Sequence, residues 1–179
     1  GPIVHPQFWP ENLDYSGKKV VVIGSGATAV TLVPSMAATA AHVTMLQRSP
    51  TYIVSRPGED KWALRFRRIL PAKFMFNLAR KKPAAFKGRL LEMVREEMGP
   101  DVNMADYTPS YNPWDQRLCL VPDSDLFDSI KSGRASIVTD HVETFTRGGI
   151  KLKSGTMLEA DIIVTATGLK MLTGGSAAI

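Results

Sequence analysis

The chain has 179 residues, of which 44% are hydrophobic and 22% are charged, a composition typical of one globular domain with a sizeable core. The net charge of +5 comes from one segment, since 11 Lys/Arg and 5 Asp/Glu lie between Glu59 and Met98. The rest of the chain holds 11 Lys/Arg and 12 Asp/Glu, so composition excludes a general nucleic-acid binder. One cysteine excludes an internal disulfide, and no metal-ligand spacing, signal-peptide pattern or transmembrane run is present, so a cytoplasmic protein without a metal is expected.

The first residues are rich in proline and aromatic side chains. Three prolines within residues 1–12 disfavour a helix and predict an extended segment. Phe8 and Trp9 carry more apolar area than an exposed linker needs, so we expect them to pack against other structure. Residues 1–15 are interpreted as an interdomain linker, with His5 holding it in place rather than taking part in chemistry.

The strongest motif follows a short run of β-branched residues, Val20 to Ile23, which predicts a strand buried on both faces. The next six residues match the dinucleotide-binding fingerprint G-x-G-x-x-G/A. They are Gly24, Ser25, Gly26, Ala27, Thr28 and Ala29.

Each small residue of this motif has its own task. Gly24 permits a tight turn, Gly26 lets a pyrophosphate approach the backbone, and Ala29 lets the next helix pack close to the strand. The N–H groups at the start of that helix would face the phosphates. A helix over 27–41, kinked at Pro34, and a second strand over 42–47 supply the required context; a merely structural glycine turn is the alternative.

The end of the second strand selects the cofactor. An NAD-binding unit places Asp or Glu about 20 residues past the glycines, where the carboxylate holds the ribose 2′-OH. This chain has Gln47-Arg48-Ser49 there. A guanidinium pairs bidentately with a 2′-phosphate, which a carboxylate would repel. The sequence therefore predicts NADP(H) binding through Arg48 and Ser49, with an ordinary solvated arginine as the alternative.

The middle of the chain is predicted to be helical. Residues 51–60 are interpreted as a loop, because Pro50 precedes them and Pro57 and Gly58 interrupt them. Apolar side chains at spacings of three and four over 61–98 predict helices that break before Pro71 and Pro83. This basic insertion, about 59–100, is interpreted as a cover for the domain with a solvated charged face, and contact with an anionic membrane is the alternative.

Beyond residue 122, short apolar runs alternate with polar and glycine-rich turns. They predict a helix capped by the polar residues around Ser124, then a parallel strand, a β-meander and a last buried strand. These elements are placed at 126–132, 135–138, 142–158 and 161–166. The small residues Thr167 and Gly168 would let the backbone lie close to a cofactor. The fold class is therefore α/β, a Rossmann-like doubly wound parallel sheet with a β-meander and a helical insertion.

Several motifs together resemble the Baeyer–Villiger monooxygenases, a family of flavin-dependent enzymes, and within it the ethionamide-activating type. Gly1, His5 and Trp9 match the latter part of the family fingerprint F-x-G-x-x-x-H-x-x-x-W. Similar motifs follow in the family's order over essentially the whole chain: the glycine loop, Gln47-Arg48-Ser49-Pro50, Asn112-Pro113-Trp114-Asp115-Gln116-Arg117-Leu118 and Ala166-Thr167-Gly168.

The resemblance implies that residues 16–168 are an NADPH-binding domain inserted into an FAD-binding domain. Only one G-x-G-x-x-G/A motif is present, so the chain looks like part of a larger flavoprotein, with 169–179 leading back to the FAD domain. In such enzymes NADPH reduces FAD, O2 then gives a peroxyflavin, and oxygen is inserted beside a carbonyl or onto sulfur. The implied partners are that FAD domain, a small ketone or sulfur compound and O2, and the chain alone should be inactive.

The resemblance also assigns two residues near the middle of the chain. Arg117 matches the arginine that approaches the flavin and the nicotinamide, where its permanent charge would stabilise anionic intermediates. A surface arginine paired with Asp115 is the alternative. Gln116 stands where many relatives have a lysine of the 2′-phosphate site, which leaves Arg48 with more of that task.

Two other functions stay open at this stage. One is a nitrogen- or sulfur-oxygenating flavin monooxygenase or a plain flavin reductase; the fingerprint remnant and Arg117 argue against the reductase. The other is a non-enzyme, a stand-alone NADP-binding regulatory module.

Overall fold

The computed structural model describes residues 1–58 and 72–168. The strands within these residues, in chain order, are β1 (Ile3–Val4), β2 (Lys19–Ile23), β3 (His42–Gln47), β4 (Tyr52–Arg56), β5 (Leu118–Pro122), β6 (Ala135–Thr139), β7 (Val142–Thr146), β8 (Gly149–Leu152), β9 (Met157–Glu159) and β10 (Ile162–Thr165). The α-helices are α1 (Ala27–Ala37), α2 (Ala72–Lys81), α3 (Pro83–Met98) and α4 (Asp125–Lys131).

A five-stranded sheet in the order β1-β10-β2-β3-β6 forms the centre, and every pairing in it is parallel. Its middle strand explains the unbroken apolar run in the sequence. Val20 and Val22 pack in the larger core cluster with α1, while Val21 faces the other way into a cluster with Ile150 and Leu152 of β8. The strand is thus covered on both faces, as predicted, and the α/β fold class is confirmed.

Helix α1 connects β2 to β3 and buries Ala29 and Val33 completely. It ends at Ala37, four residues earlier than predicted, although Pro34 lies within it. The backbone after the helix makes a hydrogen bond outside it, because the Gly17 N–H donates to the Thr39 carbonyl at 2.9 Å. This bond holds the chain in a turn toward β3 before the end of the alanine-rich segment 37–41.

A parallel pair of strands stands where a loop was predicted for residues 51–60. Strand β4 pairs with β5 from Tyr52↔Leu118 to Arg56↔Pro122. The prolines flank the strand rather than interrupt it, and its aromatic and β-branched residues are buried. The partner strand lies more than sixty residues further along the chain, so local sequence could not reveal the pair.

The helical insertion is present as α2 and α3, which break before Pro83 as predicted. The predicted break before Pro71 lies outside the described residues. In α3, Leu90 is buried, while the guanidinium of Arg89 lies 2.8 Å from Glu92 and 3.2 Å from Glu96 on the exposed side. The charged face is solvated, which agrees with a covering role for this helix. No helix in the described part of the chain has the length and apolar character needed to cross a membrane.

The predicted β-meander is confirmed as the antiparallel sheet β7-β8-β9. Helix α4 also forms, and within the polar cluster expected to cap it the Asp125 carboxylate accepts the Leu126 N–H at 2.7 Å. Ser124 is left-handed, with φ of 62°, and makes no capping hydrogen bond. Its hydroxyl lies 2.6 Å from that of Ser55 instead, so it joins the helix start to β4.

The N-terminal segment lies beside the last strand, because β1 pairs with β10. His5 Nδ1 accepts the Gln7 N–H at 3.2 Å, so the proton is on Nε2, which donates to the Gly168 carbonyl at 3.0 Å. Trp9 packs on this chain's own core and meets Tyr15 edge-on at 6.4 Å, whereas Phe8 is 69% exposed. His5 thereby ties residues 1–8 to the end of β10.

Candidate functional site

A cavity of about 510 Å³ lies at the carboxyl ends of the central strands. Ile23, Leu46 and Ala166, from the ends of β2 and β3 and the residue after β10, contribute to its wall. In parallel α/β sheets this edge is where ligands bind, because loops and helix N-termini converge there.

Gly24, which lines this cavity, makes the sharp turn out of β2. Its φ is +133°, and a Cβ on it would lie 2.4 Å from the backbone oxygen of Ala166. Its N–H donates to the Leu46 carbonyl at 2.8 Å. Both the backbone conformation and the close contact with Ala166, the residue after β10, therefore require glycine.

Gly26 is the N-cap of α1, and its carbonyl accepts the first helical hydrogen bond, from Val30, at 3.1 Å. Its φ of −84° is ordinary, so conformation does not require glycine here. The space above it is occupied, because a Cβ would lie 2.5 Å from Nη1 of Arg117 and this flexible side chain would have to shift. The guanidinium thus lies on bare backbone at a helix N-terminus, which itself carries partial positive charge.

Ser25 braces the loop between these glycines. Its hydroxyl lies 2.9 Å from that of Thr51 and donates to the Ser49 carbonyl at 3.3 Å. The Cys119 thiol contacts the Ser25 carbonyl at 3.9 Å, and burial raises the pKa of that thiol, so it stays protonated. The glycine loop is therefore fixed by β5 and by the segment that precedes β4.

Arg117 is held through its backbone by two tyrosines. The Tyr111 hydroxyl donates to the Arg117 carbonyl at 2.9 Å, and the Tyr52 hydroxyl donates to the Tyr111 carbonyl at 2.7 Å. The two rings meet edge-on at 5.2 Å, and burial raises the pKa of Tyr52 to about 12. Within residues 1–58 and 72–168, the Arg117 side chain forms no ion pair, so the alternative pairing with Asp115 is absent.

The turn before Arg117 is strained. The Asp115 N–H donates to the Asn112 carbonyl at 3.1 Å, and Trp114 at the third position has φ of 73°, a value that type II turns normally obtain from glycine. Gln116 follows directly and lines the cavity. The turn therefore presents Gln116 and Arg117 together at the cavity wall.

Arg48 and Ser49 also line the cavity, immediately after β3. The preceding Gln47 is only 1% exposed and donates to the Asp106 carbonyl at 2.7 Å and to the Thr139 hydroxyl at 2.9 Å. The strand end is thus anchored, while Arg48 is exposed and has no hydrogen-bond or ion-pair partner among the described residues.

Of the residues that the sequence singled out, eight line this one cavity: Gly24, Ser25, Gly26, Arg48, Ser49, Gln116, Arg117 and Thr167. Ala27, Thr28, Ala29 and Gly168 are outside its lining; Ala29 is fully buried against the strands, as the fingerprint requires, and Gly168 accepts the bond from His5.

Sequence reasoning missed other lining residues because none lies in a motif. They include Thr51, Tyr111, Asp140, His141 and Lys153. The only available signal for the last three was the predicted meander, whose turns could face the strand ends.

The model of a protein family described as flavin-binding monooxygenase-like matches residues 1–172. Over 195 aligned residues the chain is 53% identical to MymA of Mycobacterium tuberculosis, covering 98% of this chain and 39% of MymA. It is 51% identical to the FAD-containing monooxygenase EthA of Mycolicibacterium smegmatis, covering 100% of this chain and 40% of EthA. The chain thus spans about two fifths of the length of these relatives.

Solved structures show the same fold at low sequence identity. OTEMO in complex with FAD and NADP aligns with a TM-score of 0.72 at 18% identity, over 95% of this chain and 43% of OTEMO. An oxidized steroid monooxygenase bound to NADP aligns with a TM-score of 0.72 at 18% identity, over 94% of this chain and 42% of that enzyme. These likenesses establish the fold.

Proposed function

The chain belongs to the flavin-binding monooxygenase-like family, and from that premise we propose that it is the NADP(H)-binding part of an FAD-dependent monooxygenase of the Baeyer–Villiger type. The observation that carries the proposal is the contact of Arg117 with the glycine loop, 2.5 Å from the Cβ position of Gly26. A guanidinium and a helix N-terminus are both positive and repel each other. Their proximity is suited to an anionic ligand that both can hold.

The residues present fit a dinucleotide. Gly24 and Gly26 leave the backbone open, and the first N–H groups of α1 can donate to a pyrophosphate. Arg48 and Ser49 are exposed at the end of β3, where the adenosine ribose would lie. The guanidinium of Arg48, which has no partner in the described part of the chain, offers two parallel donors to a 2′-phosphate, which favours NADP(H) over NAD(H).

Arg117 would serve the chemistry after the nucleotide is bound. A guanidinium stays protonated at any working pH, so it can stabilise negative charge that develops on the oxygen of a substrate. The bond from Tyr111 holds the backbone of Arg117 while leaving its side chain free to move. Placement of the nicotinamide and of this charge is the contribution of the chain.

Bound flavin would supply the redox and oxygen chemistry. Because the relatives MymA and EthA are about two and a half times as long as the aligned region, we infer that the FAD-binding region belongs to the part of the protein that this chain does not cover. The partners would be that region, a small ketone or sulfur compound and O2. A cytoplasmic location accords with the free, buried thiol of Cys119.

The proposal is tested on the full-length protein with FAD bound. NADPH consumption and product are measured with a ketone and a sulfide under isotope-labelled O2. We expect one labelled oxygen per product, and Arg117→Ala should abolish product while NADPH still binds. NADPH oxidation that yields only peroxide with both substrates, or unchanged turnover in Arg117→Ala, would overturn the proposal.

A further inference from the structure

Lys153 follows β8 directly and lines the same cavity as Arg48, although about a hundred residues separate them in the sequence. Its side chain is exposed and, among the described residues, has no carboxylate partner. The neighbouring Lys151 differs, since its ammonium pairs with Glu143 at 3.0 Å. Two lysines of one short segment thus have different environments, and of the two only Lys153 lines the cavity.

Backbone hydrogen bonds fix Lys153 relative to Arg48. The Asp140 N–H donates to the carbonyl of Gln47, the residue before Arg48, at 2.9 Å. The Lys153 N–H in turn donates to the His141 carbonyl at 2.9 Å. Two main-chain bonds therefore connect the end of β3, the β6–β7 turn and the β8–β9 turn, so the backbone segments that carry the two cations form one wall of the cavity.

Among the described residues, Asp140 is the one carboxylate in the lining of this cavity. Its oxygens accept the N–H of His141 at 2.6 Å and the N–H of Ser154 at 3.2 Å. Hydrogen bonding by the side chain of Ser154, and then by the His141 N–H, lowers the pKa of Asp140. The negative charge of Asp140 is therefore already stabilised by hydrogen bonds from the two turns. The cations of the wall, Arg48 and Lys153, are left for an external anion.

We propose that Lys153 is a specificity-determining residue which, with Arg48, binds the 2′-phosphate of the nucleotide; the inference rests on the function proposed above. A phosphate monoester is a dianion at neutral pH, so it is better matched by two cations than by one. Arg48 supplies a planar pair of donors, and Lys153 supplies a mobile point charge from the other strand end. A nucleotide without this phosphate gains nothing from Lys153.

The test uses 2′,5′-ADP and 5′-AMP, which differ only in the 2′-phosphate, together with NADPH and NADH. Dissociation constants are measured by calorimetry for the wild-type protein, Lys153→Met, which keeps the apolar stem, and Lys153→Arg, which keeps the charge. Lys151→Met is the matched control. We expect Lys153→Met to weaken 2′,5′-ADP and NADPH about tenfold, as for one charge-assisted contact, with 5′-AMP and NADH unchanged. Lys153→Arg should retain the wild-type affinities, as should Lys151→Met.

Two outcomes would overturn the role of Lys153 while the proposed function stands. One is tight NADPH binding that is unchanged in Lys153→Met, and the other is an equal loss for 2′,5′-ADP and 5′-AMP, which would indicate a structural effect. A wild-type protein that binds neither NADPH nor NADH would overturn the proposed function itself, and the Lys153 assignment with it.

Discussion

Nη1 of Arg117 lies over Gly26, so close that a Cβ on the glycine would be 2.5 Å from it. Ninety residues separate the two in the sequence, yet the start of α1 and the loop before β5 form one surface. The absence of a side chain at Gly26 therefore leaves room for two groups, the guanidinium of Arg117 and the nucleotide phosphates proposed to lie there.

Gly26→Ala should weaken NADPH binding without unfolding the protein. The φ of Gly26 suits alanine, and the clashing atom is the end of a flexible side chain, so the stability cost should be only about 1 kcal/mol, as for a poorer N-cap. The methyl group would, however, occupy the place where backbone and phosphate meet. We expect at least about a tenfold loss of NADPH affinity, corresponding to one phosphate contact, by calorimetry.

Gly88→Ala is the matched control, because Gly88 lies in α3 and a Cβ there meets nothing within 4 Å. It should raise the free energy of unfolding by about 0.5–1 kcal/mol and leave NADPH affinity unchanged. Equal NADPH affinity in Gly26→Ala and Gly88→Ala would remove the glycine loop from the binding site.

Gly24→Ala should instead damage the fold. A Cβ at this position meets the Ala166 backbone oxygen at 2.4 Å, and the φ of +133° is strained for any L side chain. Because β2 and β10 are both central strands, neither backbone can move aside cheaply. We expect a loss of more than about 2 kcal/mol in unfolding free energy, measured by urea denaturation. A variant as stable as the wild type would contradict this account of the turn.

Arg48→Ala should weaken NADPH far more than NADH, by about tenfold or more, because a charge-assisted bidentate contact is lost only from the nucleotide with a 2′-phosphate. Arg56→Ala serves as control, since Arg56 is exposed and lies outside the cavity lining. The measurement is calorimetric titration with both nucleotides. Equal losses for the two nucleotides in Arg48→Ala would exclude a 2′-phosphate role.

Ionisation of Tyr52 should lower the free energy of unfolding at alkaline pH. Its pKa is raised from 10.0 to about 12 in the folded protein by burial, so the unfolded chain loses the proton first. Its contribution is complete below about pH 10 and is lost as the pH rises through about 12. Tyr52→Phe should be less stable at pH 7 by about 1 kcal/mol, through the lost bond to Tyr111, but its stability should fall less steeply above pH 10. Identical alkaline slopes in denaturant titrations would contradict this.

The sequence could reveal those parts of the site that are local. A buried strand, two glycines and the first turn of a helix form one contiguous motif, so the roles of Gly24 and Gly26 could be predicted from residue chemistry. The role of Arg48 could be predicted for the same reason, because this residue directly follows a recognisable strand. Arg117 needed the resemblance to a known family, since nothing in its own neighbourhood indicates contact with Gly26.

The rest depends on long-range pairing. Strand β4 was interpreted as a loop because its partner, β5, lies far along the chain and parallel pairs leave no hairpin signal. Lys153 was missed because its approach to Arg48 depends on hydrogen bonds between two turns and the end of β3. Such contacts follow from the packing of the meander against the sheet, which local periodicity does not encode.

The most direct test of the central claim is a calorimetric titration of the chain with NADPH and with NADH, after circular dichroism and a cooperative thermal transition have shown that it is folded. We predict a dissociation constant for NADPH of about micromolar order and binding of NADH at least about tenfold weaker. Equal affinities for the two nucleotides, or no binding of either by the folded chain, would contradict the assignment of an NADP(H)-binding site to the glycine loop and Arg48.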